Sequence, residues 1–222
     1  MTFDVVGTLI DFETGILRAV GNPGIDDDAF LAAFAAAEDV QQRATPEMPF
    51  PAMLDPISAR LAEQFDLPDL DLRPSIPDWP AYPDAAQTLQ RWRGRFRLVA
   101  LTNADRAAVG AWGPALGHPF DDTVTVDEVG VNKPDPRMFE AALTKLHAHG
   151  IAKDEVLHVA QSQYHDIAAA VELGLCTCWV ERRHGREGSG ATPATATTVT
   201  PDLHVHDLAG LERADLLHGA AR

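Results

Sequence analysis

The sequence predicts an α/β protein: a parallel, doubly wound sheet with a helical insertion after its first strand. Three observations carry this. The chain starts with a short apolar strand that ends on a carboxylate, Phe3-Asp4-Val5-Val6-Gly7-Thr8-Leu9-Ile10-Asp11. From residue 84 onward, short apolar runs alternate with helical patterns, as they do in parallel sheets with crossover helices. Between them, over residues 13–82, apolar residues recur at helical spacing. In an open α/β sheet the chemistry gathers past the C-terminal ends of the strands, and Asp4 stands at such an end.

The elements follow in order. Residues 14–21 form a short helix stopped by Gly21-Asn22-Pro23-Gly24. Asp26 caps a second helix that carries Phe30, Leu31 and Phe34 on one face and runs to about Arg43. A third presents Leu54, Ile57, Leu61 and Phe65 at spacings of three and four. Residues 68–83 are proline-rich and irregular. A helix over 84–93 precedes the buried strand 97–101, which ends in Thr102-Asn103. A helix at 105–112 and a strand at 123–126 come next. Asp135-Pro136 opens a helix with Met138, Phe139, Ala142 and Leu146, closed near Gly150. Residues 156–160 form a fourth strand; a helix opened by Asp166 stops at Gly174; 176–180 is a fifth strand. The Gly/Ser/Thr/Ala/Pro-rich stretch 184–201 predicts a mobile loop, and 203–211 an edge strand with a helix start.

Composition narrows the function. A length of 222 residues suits one core domain with an insertion, and 45% hydrophobic content is enough to fill it. The net charge of -15 argues against nucleic acid or an anionic membrane as partner. No apolar run is long enough to span a bilayer and no signal-peptide pattern is present, so a cytoplasmic protein is expected. Cys176 and Cys178 lie two apart in an apolar strand, on one face, and read as two buried core thiols. Only Met1-Thr2-Phe3 precede Asp4, so either the first strand is short or the chain begins further upstream.

Four motifs stand in order: Asp4-Val5-Val6-Gly7-Thr8, Leu101-Thr102-Asn103, Asn132-Lys133-Pro134-Asp135-Pro136, and His158 to Asp166 through Gln161-Ser162-Gln163-Tyr164-His165. Together they resemble the haloacid dehalogenase (HAD) superfamily, and within it the type II 2-haloacid dehalogenases and their relatives. The resemblance covers the whole chain. It implies a Rossmann-like HAD core at residues 1–12 and 83–222, a helical cap at 13–82, and Asp4 as a covalent nucleophile. Dimerisation is a further expectation from the family.

Residue chemistry refines the resemblance. A carboxylate such as Asp4 can displace a leaving group to form an ester or acyl phosphate that water then cleaves; its ordinary alternative is to cap the turn at Gly7-Thr8. In the family's phosphatases a second aspartate, the leaving-group acid, occupies the position held here by Val6. Valine favours carbon-centred displacement, in which a halide needs no acid, unless the acid comes from elsewhere, such as the cap. Gln161 stands where the phosphatases have an acidic residue, so no tightly held magnesium is expected, although a weak site on Asp4 and Asp166 stays open.

Lys133 is the expected pocket cation, pairing with Asp4 and attracting a substrate anion; Asp166 orients it or serves as a helix N-cap. Thr102 and Asn103 suit a substrate carboxylate or phosphate, or charge developing on Asp4. Thr8 can bond Asp4, and Ser162 and His165 fall at the rim. Arg43 is the candidate for the arginine with which the resembled dehalogenases grip halide; the remaining cap charges, Glu38 among the end residues of that helix, read as a solvated face. Phe139 replaces a tyrosine of those enzymes. The resulting expectation is a metal-independent dehalogenase-like hydrolase of a small carboxylate. The alternatives are hydrolysis of another carbon electrophile such as a strained ring, a magnesium-dependent phosphatase, and a non-catalytic binding protein.

Overall fold

In the computed structural model, residues 1–195 and 198–213 are described. Six parallel strands form one sheet in the order β3-β2-β1-β4-β5-β6. They are β1 (Thr2–Phe3), β2 (Val99–Thr102), β3 (Asp122–Thr125), β4 (Leu157–Ala160), β5 (Cys176–Val180) and β6 (Leu203–Val205). The order reverses at β1, which pairs with β2 on one side and β4 on the other, with Thr2 opposite both Val99 and His158. A crevice opens where the two halves of such a sheet diverge. Asp4 is the first residue past β1, its N–H still donating to the Val159 carbonyl at 3.0 Å. The first strand is therefore short but central, held from both sides.

Apolar side chains cover both faces. One cluster gathers Phe3, Leu9, Leu89, Trp92 and Cys178 with the helices that follow β1. The other packs Val99, Leu101 and Val124 under Met138, Phe139 and Leu146. Both faces of a parallel sheet need such cover, and its strands read accordingly as continuous apolar runs.

Between β1 and β2 lie α1 (Phe12–Val20), α2 (Asp27–Ala44), α3 (Phe50–Phe65) and a 3-10 turn at Arg73–Asp78, followed by α4 (Ala85–Trp92). Asp26 caps α2 by accepting from the Ala29 N–H at 2.9 Å. Helices α2 and α3 pack together, with the Phe30 and Phe65 rings 5.3 Å apart. Aromatic contacts tie this segment to the sheet side: Trp79 stacks on Trp112 at 6.0 Å, and Phe12 meets Phe34, Phe50 and Trp79. The remaining helices are α5 (Arg106–Leu116), α6 (Val126–Val129), α7 (Pro136–His147), α8 (Ala168–Glu172) and α9 (Leu208–Arg213). None of the described helices is long and apolar enough to cross a membrane.

Three expectations change. Asp166 does not open a helix: Ser162 is the cap, its Oγ accepting from the His165 N–H at 2.9 Å, and a π turn at Gln163–Ile167 runs into α8. That wide turn directs Asp166 inward. Cys178 is buried but Cys176, at the start of β5, is exposed. In the Gly-rich stretch after β5, residues 182–192 fold back in turns, and residues 196–197 lie outside the described residues: Ala191 is buried and its N–H donates to Glu13 at 2.9 Å, while Arg183 pairs with Glu13 and Asp28.

Candidate active site

The site begins with the turn after β1. Gly7 takes φ +85°, a left-handed conformation that suits glycine, and Thr8 then faces back to Asp4. The Thr8 hydroxyl donates to Asp4 Oδ2 at 2.7 Å and accepts from the Gln161 N–H at 2.8 Å. Thr8 thus orients Asp4 and lies behind it, away from the cavity. Asp4 is only 5% exposed.

Lys133, 1% exposed, reaches from the loop before α7 and spends its three N–H groups on Asp4 Oδ1 (2.8 Å), Asp166 Oδ1 (2.6 Å) and the Leu101 carbonyl (2.8 Å). Its backbone is held equally firmly. Asn103 Oδ1 accepts from its N–H at 2.6 Å, and Asn103 Nδ2 and Gln42 Nε2 donate to its carbonyl at 3.1 and 2.9 Å. Asn103 therefore positions Lys133 through its amide. His158 closes the arrangement from below, with Nε2 3.1 Å from Asp166 Oδ1 and Nδ1 2.9 Å from the Thr2 hydroxyl.

Electrostatics distinguish the two aspartates. Burial opposes ionisation of Asp166, but Lys133 and His158 outweigh it and hold its carboxyl below the usual range. Asp4 is pushed above its usual range by burial, despite Lys133, and the charge on Asp166 adds to the push. Burial alone would lower Lys133, and the two carboxylates more than reverse that. A single ammonium thus serves two buried carboxylates, and Asp4 is the one more easily protonated.

A small cavity of about 40 Å³ opens in front of Asp4, lined by Val6, Phe12, Glu38, Phe50, Thr102, Asn103, Lys133, Gln161, Ser162, His165, Asp166 and Thr192. Of the sequence candidates, Asp4, Lys133, Asp166, Thr102, Asn103 and Ser162 come together here. Arg43 does not: it pairs with Asp39 at 2.6 Å one helical turn away, and its side chain is 72% exposed. Lys133 is the sole lysine or arginine among the described lining residues, and its hydrogens are all engaged.

The sequence reading missed Glu38. It is not on a solvated face but is buried against the cavity at 5% exposure. Burial, with Asp39 and Asp4 nearby, pushes its carboxyl up to about 8. The signal was present: Leu31, Phe34, Ala35, Glu38, Gln41 and Gln42 form the buried stripe of α2 at spacings of three and four. His165 is also drawn in. Its Nε2 lies 2.9 Å from Gln42 Oε1, and burial lowers its pKa to about 4, so it is neutral at ordinary pH.

These groups make a poor cage for magnesium. Both Asp4 oxygens and Asp166 Oδ1 already accept hydrogen bonds; Asp166 Oδ2 alone is buried without a partner, and Gln161 is neutral. A hard dication prefers several free anionic oxygens.

The sheet order, a strand-end aspartate and an ammonium shared by two carboxylates define a HAD-type hydrolase core. Residues 1–174 match the haloacid dehalogenase-like hydrolase family, and the chain belongs to it. Among curated relatives, a phosphoserine phosphatase of Thermus thermophilus is 34% identical over 142 residues, which is 63% of this chain and 53% of that protein. The chain thus spans about half the length of that relative. The (S)-2-haloacid dehalogenase 4A of Burkholderia cepacia is 24% identical over 194 residues, 82% of each chain. Among solved structures, a dehalogenase with an intermediate complex superposes with a TM-score of 0.79 at 22% identity, covering 95% of this chain and 93% of that one. That likeness speaks for the fold.

Proposed function

We propose that the protein is a hydrolase that displaces a leaving group from carbon through an ester on Asp4, with no resident metal. The observation that carries this reading is the pair Asp4 and Val6. Asp4 is paired with Lys133 and oriented by Thr8, while Val6, two residues on, is apolar, so the turn after β1 offers no acid where the family's phosphatases carry one. In the first step Asp4 attacks the substrate carbon and the leaving group departs with its bonding electrons. In the second, water attacks the carbonyl carbon of the Asp4 ester, the product alcohol leaves, and Asp4 returns to the grip of Lys133. Asp166, His158 and Asn103 hold Lys133 in place through both steps; the Thr102 and Ser162 hydroxyls line the cavity where substrate oxygen would lie. Residues 13–82 act as a cap that excludes bulk water. The haloacid relatives suggest a small 2-halocarboxylate as substrate.

A second reading, a magnesium-dependent phosphatase, is favoured by the unpartnered Asp166 Oδ2 and by the Thermus relative. The test is halide release from chloro-, bromo- and fluoropropionate with chelator present, alongside mass spectrometry for an adduct on Asp4 and an Asp4→Asn control. Phosphate release from phosphomonoesters that needs magnesium, with no halide release, would decide for the second reading.

A further inference from the structure

Glu38 has no role in the steps above, yet its position is specific. It descends from the middle of the buried stripe of α2 into the cavity that Asp4 enters from the sheet. Among the described residues no hydrogen bond reaches its carboxyl; His165 Nε2 lies 4.0 Å away, on a neutral ring that is bonded to Gln42. The other groups facing it are Asp4, Asp39 beside it on α2, and Lys133 and Asp166 across the cavity. Lys133 has no hydrogen to spare, and Asp39 is paired with Arg43. A carboxyl in such surroundings keeps its proton, and burial with the neighbouring aspartates raises it to about 8. One face of the site thus holds a carboxylate and the other a carboxylic acid, the division of labour expected of an acid and a nucleophile.

We propose that Glu38 is the general acid and base of this site, supplied by the cap in place of the acid that Val6 lacks, and that the substrate carries a leaving atom basic enough to need a proton: fluoride or the ring oxygen of a small epoxide. The inference rests on the Asp4 hydrolase reading. As Asp4 bonds to carbon, the carbon–leaving-atom bond breaks and its electron pair takes the Glu38 proton, giving hydrogen fluoride or a hydroxyl. Glu38, now a carboxylate, accepts a proton from the water that attacks the Asp4 ester, and both side chains return to their starting states. The sum is addition of water with loss of hydrogen fluoride, or ring opening to a diol. Chloride and bromide leave without its proton, so with them Glu38 acts only in the second step, and only after that proton has passed to solvent.

The experiment compares wild type with Glu38→Gln, which is the same size and neutral like the protonated acid. Infrared difference spectra of the resting proteins at neutral pH should show a protonated-carboxyl band in wild type alone, disappearing near pH 8. Turnover of 2-fluoropropionate and propylene oxide should fall by about 100-fold or more in the variant, and the basic limb of the wild-type pH profile should vanish. With 2-bromopropionate the variant should still form the Asp4 ester and accumulate it. The proposal is overturned by absence of the band, by wild-type rates in the variant, or by wild-type turnover confined to chloro- and bromo-acids. A wild type that shows the band but neither turnover nor adduct with any of these compounds would overturn instead the Asp4 hydrolase reading beneath it.

Discussion

At the scale of residues, the Lys133 ammonium has three hydrogens and three acceptors, two of them buried carboxylates. Lys133→Met would leave Asp4 and Asp166 facing each other without a cation. Breaking a buried pair in this way costs about 3–5 kcal/mol, so urea unfolding should show a loss of that order. Asp4 should then take up a proton, and halide release should disappear. Retained activity in Lys133→Met would mean that another group ionises Asp4. Glu38 makes a prediction of opposite sign. Its folded pKa is raised from 4.5 to about 8, so its contribution to stability is fully present below pH 4.5 and is lost as pH rises toward 8. The loss is about 1.4 kcal/mol for each pH unit crossed. His165, lowered from 6.5 to about 4, works in the other direction between those two values. The difference between wild type and Glu38→Gln cancels His165. The melting temperature of the variant should therefore gain on wild type as pH rises from 5 to 8; a constant difference would show that Glu38 ionises normally. Asp4, Thr8, Lys133 and Asp166 could be read from the sequence because each sits in a short motif beside a strand end. Gln42 could not, because its partners lie on the loop before α7 and the π turn, far along the chain. Glu38 is legible only as the continuation of the α2 stripe beyond Phe34, at the spacings of three and four that bury Ala35, Glu38 and Gln42.

At the scale of elements, α1 packs closely on Trp79, which follows the 3-10 turn. Gly15 in α1 lies against Trp79, and a Cβ there would fall 2.2 Å from the indole Cδ1. The indole is itself wedged between Phe12, Phe50 and Trp112, so it has nowhere to retreat. Helix propensity favours alanine over glycine by about 1 kcal/mol, while overpacking costs about 1–3 kcal/mol. Gly15→Ala should therefore destabilise. Gly110 in α5 has nothing within 4 Å of the same position, so Gly110→Ala should stabilise. Denaturant midpoints moving in the same direction for both variants would contradict this account of α1. Element identity was largely legible from periodicity and from caps such as Asp26. The extension of α5 to Leu116 was not, because glycine and proline, here Gly113 and Pro114, disfavour a helix interior, whereas Pro114 is accommodated near the C-terminal end of the helix. The π turn was also invisible, since nothing in Gln163-Tyr164-His165-Asp166 distinguishes it from an ordinary helix start.

At the scale of the whole molecule, the net charge of -15 sets the field through which a substrate arrives. The sequence reading treated Lys133 as a cation able to attract an anion. In the fold its hydrogens are all engaged, and no other lysine or arginine lines the described cavity. An anionic 2-halocarboxylate must then approach against the field, whereas an epoxide is indifferent to it. Charges separated by more than about 10 Å are largely screened at 0.1 M salt, so added salt weakens the repulsion while leaving the buried pairs intact. The expected outcome is a kcat/KM for 2-bromopropionate that rises with sodium chloride, and one for propylene oxide that stays flat. A kcat/KM that falls with salt for the bromo-acid would mean that a cation outside the described lining guides the anion, Arg43 at the exposed end of α2 being such a group. A rise for both substrates would place the salt effect on the protein itself, through relief of self-repulsion in an acidic chain. Melting temperatures recorded across the same salt series separate these cases, because screening of substrate approach leaves the unfolding transition where it was.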